Sequence, residues 1–174
     1  MKKLFKKMNI FSQKGVTVIE LILYMAILSV LLTILTSIFV SALDVQSESQ
    51  ATSSVEQDGN YILARLNYDI HRAQSINIPA ANGATSDNFQ IVINGANYTY
   101  IVDANNNLIL TSNFGANNLN NYGTSVSDLS VQRLGNAGGI EDTLRINFTI
   151  TSRTKRISGF ETKNFQTSLS LRRQ

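Results

Sequence analysis

The most telling candidate for chemistry in this sequence is a carboxylate in unfavourable surroundings. Between Val16 and Ala42 the chain runs for 27 residues with a single ionisable side chain, Glu20. A charge at the edge of so apolar a stretch is costly unless paired, and acids within membrane segments are as a rule functional. The plainer alternative is that Glu20 snorkels to the interface. Other candidates are poor. His71 is the only histidine and there is no cysteine, so neither a Cys-His pair nor an ordinary zinc site can be assembled. His71 beside Arg72 reads as a solvated or interfacial imidazole rather than a general base. Asp103-Ala-Asn105-Asn-Asn107 has the spacing that opens an EF-hand loop. Leu108 stands where that loop needs Gly, however, and Phe114 where it needs Glu, so the segment reads as a hairpin turn. The basic run Arg153-Thr-Lys155-Arg156 is short and lacks interleaved aromatics; it reads as a solvated turn between strands, and no specific nucleic-acid partner is expected. Nothing points to an enzyme, a cofactor or a metal.

The element that must position Glu20 is a helix. Val16–Ala42 contains no Pro or Gly, and at ~1.5 Å per residue it would be about 40 Å long, enough to cross a hydrocarbon core of ~30 Å. It has no polar face until Asp44, unlike a soluble-core helix. Charge is distributed to match. Five of the 15 Lys and Arg residues (Lys2, Lys3, Lys6, Lys7 and Lys14) precede Val16, and all 12 acids follow it. Without that flank the balance is net −2, so the basic character belongs to residues 1–15 and marks a cytoplasmic side. A secretory signal peptide cleaved near Val40-Ser41-Ala42 would have an apolar region of about 7–15 residues, roughly half this one. An uncleaved signal anchor carrying an extracytoplasmic binding domain is the second reading.

The third follows from the junction Lys14-Gly15-Val16-Thr17-Val18-Ile19-Glu20-Leu21. It resembles the signal of type IV prepilins and type II secretion pseudopilins, whose usual form is Gly-Phe-Thr-Leu-Ile-Glu-Leu. Val16 replaces the common Phe, and Val18 the common Leu. The resemblance implies that a prepilin peptidase cleaves after Gly15 and N-methylates Val16, and that Glu20 serves assembly. It also implies a single-pass precursor in the inner or cytoplasmic membrane, with its N-terminus cytoplasmic. The processed subunit would then join other pilin subunits, through pilus or secretion assembly machinery, in an extracytoplasmic filament at the cell surface. Leu63-Ala-Arg-Leu-Asn-Tyr-Asp69-Ile-His-Arg72-Ala73 is similar to the Asp-x-x-Arg-Ala helix ending of J-type minor pseudopilins, and Thr167-Ser-Leu-Ser-Leu-Arg172-Arg173 to their last strand. Ser37 stands where many major pilins carry a helix proline. Together these resemblances favour a minor subunit. The disulfide of many major pilins cannot form here.

Beyond the span, apolar residues recur at helical intervals: Val45, Val55, Gly59, Ile62, Leu63, Leu66, Ile70 and Ala73. The spacing predicts a helix to about Ser75, with a solvated neck over 46–54 and a bend or break at Gly59. After Pro79 come alternating runs: 88–93, 96–102, 107–111, 127–134, 143–151 and 164–171. Asn94-Gly95 is a favoured hairpin turn, Asp103–Asn106 another turn, and Ser112–Thr124 an Asn-rich loop. The expected fold is therefore α+β: a long apolar helix continuing into an amphipathic one that packs on an antiparallel sheet, the pilin ladle. Its parts are a basic leader (1–15), a membrane or filament-core helix (16–43), an amphipathic helix (44–75) and a sheet region (76–174).

Overall fold

A computed structural model describes residues 15–135 and 142–171. The leader up to Lys14, and Arg172-Arg173 of the terminal motif, lie outside the described residues. Among the described residues one α-helix, α1 (Val18–Arg72), precedes nine strands, all paired antiparallel. The class is α+β. The chain divides into two compact units, Met1–Ala42 and Leu43–Gln174.

In the second unit the strands make two sheets rather than the single one expected. The first has the order β1 (Ser75–Ile78), β3 (Asn88–Ile93), β4 (Ala96–Val102), β5 (Leu108–Ser112), β6 (Gly115–Asn118). The second has the order β2 (Thr85–Ser86), β7 (Thr124–Gly135), β8 (Asp142–Arg156), β9 (Gly159–Ser170). The β3–β4 hairpin closes through Asn94 (φ 50°) and Gly95 (φ 75°), both left-handed as a two-residue type I′ turn requires. Side chains alternate in burial along β3 and β8, so Phe89, Ile91 and Ile93, and Leu144, Ile146, Phe148 and Ile150, line one core. Val55, Ile62, Leu66 and Ile70 of α1 fill it from the helix side, with Phe89 and Tyr100 stacked at 4.3 Å.

Several expectations are corrected. The helix stops at Arg72, and Ser75 already belongs to β1, because the chain is captured by pairing with β3 (Ser75↔Val92). No break occurs at Gly59; the glycine serves a close approach, since a Cβ there would meet the Phe165 ring at 2.0–2.6 Å. Val45 is 69% exposed and takes no part in the core, whereas Ala51, within the supposed neck, is buried. The Asn-rich loop contains β6 and is organised by Asn120, whose carbonyl accepts from Leu108 N at 2.8 Å while its amide donates to Thr124 O at 3.0 Å. Such a side chain replaces a strand partner for the orphaned backbone groups.

Strand β7 begins earlier than its alternation predicts, at Thr124, because a bulge hides the pattern. Ser127 opposes Thr149 and Ser130 opposes Asn147, so one extra residue is inserted at Asp128 (φ 53°). The inward set therefore jumps from Thr124 and Val126 to Leu129 and Val131, an odd step that breaks a period of two.

Candidate functional site

The helix start around Glu20 is set by Thr17. Its carbonyl accepts from Leu21 N at 3.1 Å and its Oγ1 from Glu20 N at 3.3 Å, which makes Thr17 the N-cap and Glu20 the third helical residue. Thr-x-x-Glu is the capping-box spacing, and an acid in the first turn complements the positive end of the helix dipole. The Glu20 carboxylate does not fold back on the cap. Its Oε1 accepts a 2.9 Å hydrogen bond from the Tyr24 hydroxyl, one turn on. Gly15, Val16 and Thr17 lie outside the helix. A Cβ added to Gly15 would meet nothing within 4 Å, so no contact among the described residues requires glycine there.

The remaining surface of this segment is apolar and uncovered. From Val16 to Leu43 the large hydrophobic side chains are between 46% (Leu43) and 78% (Ile19) exposed. Four of its hydroxyls are internally satisfied: Thr33, Thr36, Ser37 and Ser41 donate to the carbonyls of Ser29, Leu32, Thr33 and Ser37 at 2.8–3.0 Å. That arrangement lets small polar residues sit in lipid without an orphaned donor. The helix is long and apolar enough to span a membrane.

In the second unit the Asp103–Asn107 segment meets the basic run through Arg153. His71 is exposed on the last turn of α1. Asp103 forms an Asx turn, its Oδ1 accepting from Asn107 N at 2.7 Å and Asn105 N at 2.9 Å. The Asn107 amide, with Asn105, holds that carboxyl below its ordinary pKa. Among the described residues no cluster of three His, Asp or Glu side chains could hold a metal ion. The basic run is not a turn: it lies in β8. Arg153 donates to Asn105 O at 2.9 Å, and Arg156 pairs with Glu48 at 3.1 Å and Glu161 at 2.7 Å.

The structural roles of two carboxylates, one of them in the Asp-x-x-Arg-Ala motif, were not foreseen from the sequence. Asp69, fully buried, takes the Tyr100 hydroxyl and the Arg65 Nε (2.7 Å), tying α1 to β4. Burial, with the adjacent carboxylate, holds the Tyr100 phenol well above its ordinary pKa. Asp58 accepts from the Thr124 hydroxyl and from Asn121 N (2.8 Å), tying α1 to the start of β7. The Arg65–Asp69 spacing of four was the only local hint for the first; the Thr-x-x-Glu spacing would have found the role of Thr17.

Comparison with family models, curated proteins and solved structures finds no significant match to this chain. Its function is therefore read from the site itself.

Proposed function

We propose that this chain is a prepilin-like structural subunit, a minor component of a type IV pilus or a type II secretion-like pseudopilus. A prepilin peptidase removes residues 1–15 by cutting after Gly15 and methylates the new amine of Val16. The subunit rests in the cytoplasmic membrane until assembly machinery draws it into a filament. There residues 16–43 of many subunits form the core and the remainder faces outward.

The observation that carries this reading is the conjunction at the start of α1. A bare apolar helix begins with one carboxylate, Glu20, soon after a non-helical Gly15-Val16 whose glycine no contact among the described residues requires. Cleavage there would free an ammonium four residues from Glu20. In a dry bundle each charge is tolerable only with the other, and one axial offset between neighbours brings them together. The domain beyond the span, with no catalytic constellation assembled among its described residues, suits a presented surface.

Intact-mass measurement on the protein extracted from membranes of its native host tests the reading. A chain beginning at Val16 and heavier by one methyl group is expected. A chain that still carries residues 1–15 would instead favour a signal-anchored extracytoplasmic binding domain that never polymerises.

A further inference from the structure

The β8–β9 turn is built unlike a solvent turn. Arg156 and Gly159 pair across it, Gly159 (φ 102°) takes the left-handed position, and Ile157 and Ser158 form the two-residue tip. Turn tips favour Asn, Asp, Gly and Ser. Here the tip carries a β-branched hydrophobe, Ile157, 85% exposed, with Phe160 53% exposed beside it. The turn is nonetheless firmly held, because Arg156, only 14% exposed, reaches Glu48 of α1 and Glu161 of β9 and donates to Gly159 O at 3.3 Å.

What the tip is held against gives its partner. Lys155, Arg156 and Ile157 line a cleft with Asp44 and Ser47 of α1. Asp44 is the first residue after Glu20 that is charged at neutral pH, and it directly follows the last apolar residues of the span. A bilayer crossed by that span would end close to Asp44, beside the cleft that the turn shares with Asp44 and Ser47.

We infer that the β8–β9 turn is a membrane-contact element, in which Ile157 and Phe160 enter the outer interface of the bilayer that holds the span. The inference rests on the membrane reading of residues 16–43. Apolar side chains flanked by a long basic one suit that zone, since Lys155 can bury its stem and keep its ammonium at the headgroups. Anionic lipid is not required: Arg156 is matched by Glu48 and Glu161, and Lys155 shares its cleft with Asp44. The contact would fix the head on the membrane before assembly and be given up on extraction into a filament.

The chain has no cysteine, so single-cysteine reporters can be introduced cleanly. Full-length protein is reconstituted in phosphatidylcholine vesicles with an environment-sensitive fluorophore on Ser158→Cys, Val30→Cys or Ala81→Cys, and with spin-labelled lipids as quenchers. Ala81 adjoins Ala80, whose carbonyl takes Arg133 near the opposite end of β8, about 40 Å from the tip at ~3.3 Å per residue. Lipid labelled near the headgroup should quench the Ser158→Cys reporter several-fold more than Ala81→Cys, equally with or without phosphatidylglycerol. Lipid labelled deep in the chain should quench Val30→Cys. Adding Ile157→Asp should bring the Ser158→Cys signal down to that of Ala81→Cys. If Val30→Cys is quenched and Ser158→Cys is not, the inference is overturned while the span stands. An unquenched Val30→Cys overturns both. A blue-shifted but unquenched Ser158→Cys reporter means contact with a second copy of the chain, and also overturns it.

Discussion

Phe165 lays its ring against the backbone of Gly59, so close that a Cβ on the glycine would fall 2.0 Å from the ring Cζ. The ring is buried and stacked on Phe148 at 5.4 Å, so it has little freedom to retreat. Two effects oppose one another in Gly59→Ala. Helix propensity alone favours alanine by about 1 kcal/mol. Overpacking costs about 1–3 kcal/mol and should win, because three ring carbons collide at once. Thermal unfolding of the full chain in detergent should show a lower midpoint for Gly59→Ala. The double variant Gly59→Ala/Phe165→Leu should recover part of the loss; no recovery would mean the ring is not the obstacle.

Asp69 supplies the second prediction. A fully buried carboxylate whose Oδ1 has no hydrogen-bond partner among the described residues depends heavily on the two groups that meet it, Tyr100 and Arg65. Removing either leaves a buried polar group under-satisfied, at about 1–3 kcal/mol. Tyr100→Phe and Arg65→Met should each lower stability by that amount at neutral pH. Their effects should not be additive, since both act on one carboxylate. A double-mutant cycle by denaturant unfolding measures this, and strict additivity would show that the three groups are not a unit.

Acid should weaken the second unit through exposed carboxylates. Asp103 is held below its ordinary value of 3.8 by the amides of Asn107 and Asn105, and Glu56 below 4.5 by the Lys163 ammonium. A carboxyl whose pKa is depressed on folding adds stability above its ordinary pKa and loses it as pH falls through the folded value. The unfolding midpoint should therefore be flat near neutrality and decline below about pH 4.5. Asp103→Asn should flatten the lower part of that decline. An unchanged acid profile in this variant would count against the Asx turn.

On the proposed reading, Glu20→Gln and Glu20→Ala should still be processed yet be missing from sheared filaments. Loss of one partner of a buried pair costs ~3–5 kcal/mol, enough to cut incorporation by orders of magnitude. Gly15→Leu should remain uncut. Tyr24→Phe removes only the donor to Glu20 Oε1 and should reduce incorporation less than either glutamate variant. Immunoblots of filament and membrane fractions decide; normal incorporation of both Glu20 variants would make the residue a mere interfacial charge.

Much of this architecture could be read from residue order wherever the determining contacts are local. The β3–β4 hairpin announces itself through alternation on both sides of Asn94-Gly95, and its register follows from the turn. The long apolar helix is plain because nothing interrupts its run of hydrophobic residues. What stayed hidden depends on distant partners. Gly59 looks like a helix weakness until Phe165, far along the chain, comes to rest on it. Asp69 looks like one more polar helix residue until Tyr100 arrives from β4. The short strands β1, β2 and β6 carry little pattern of their own and are strands because a neighbour offers its edge. At Asp128 the odd residue disguises a long strand as a shorter one. For the candidate site, Gly15, Val16 and Glu20 were legible as types at a spacing, whereas the Tyr24 partner required the helix to be built.

The cap at Thr17 has a bearing on how such a chain could be trimmed. Proteases grip extended backbone, and the Gly15–Val16 bond lies just outside the first helical turn, which Thr17 closes from the far side of that bond. A cut there would remove no hydrogen bond of the helix and none of its cap. Maturation there would leave α1 and its cap as they are, so the helix from Val18 onward should be the same before and after the cut. What the scission would change is charge: five lysines depart with residues 1–15, and a neighbour would feel a cation where there had been a peptide.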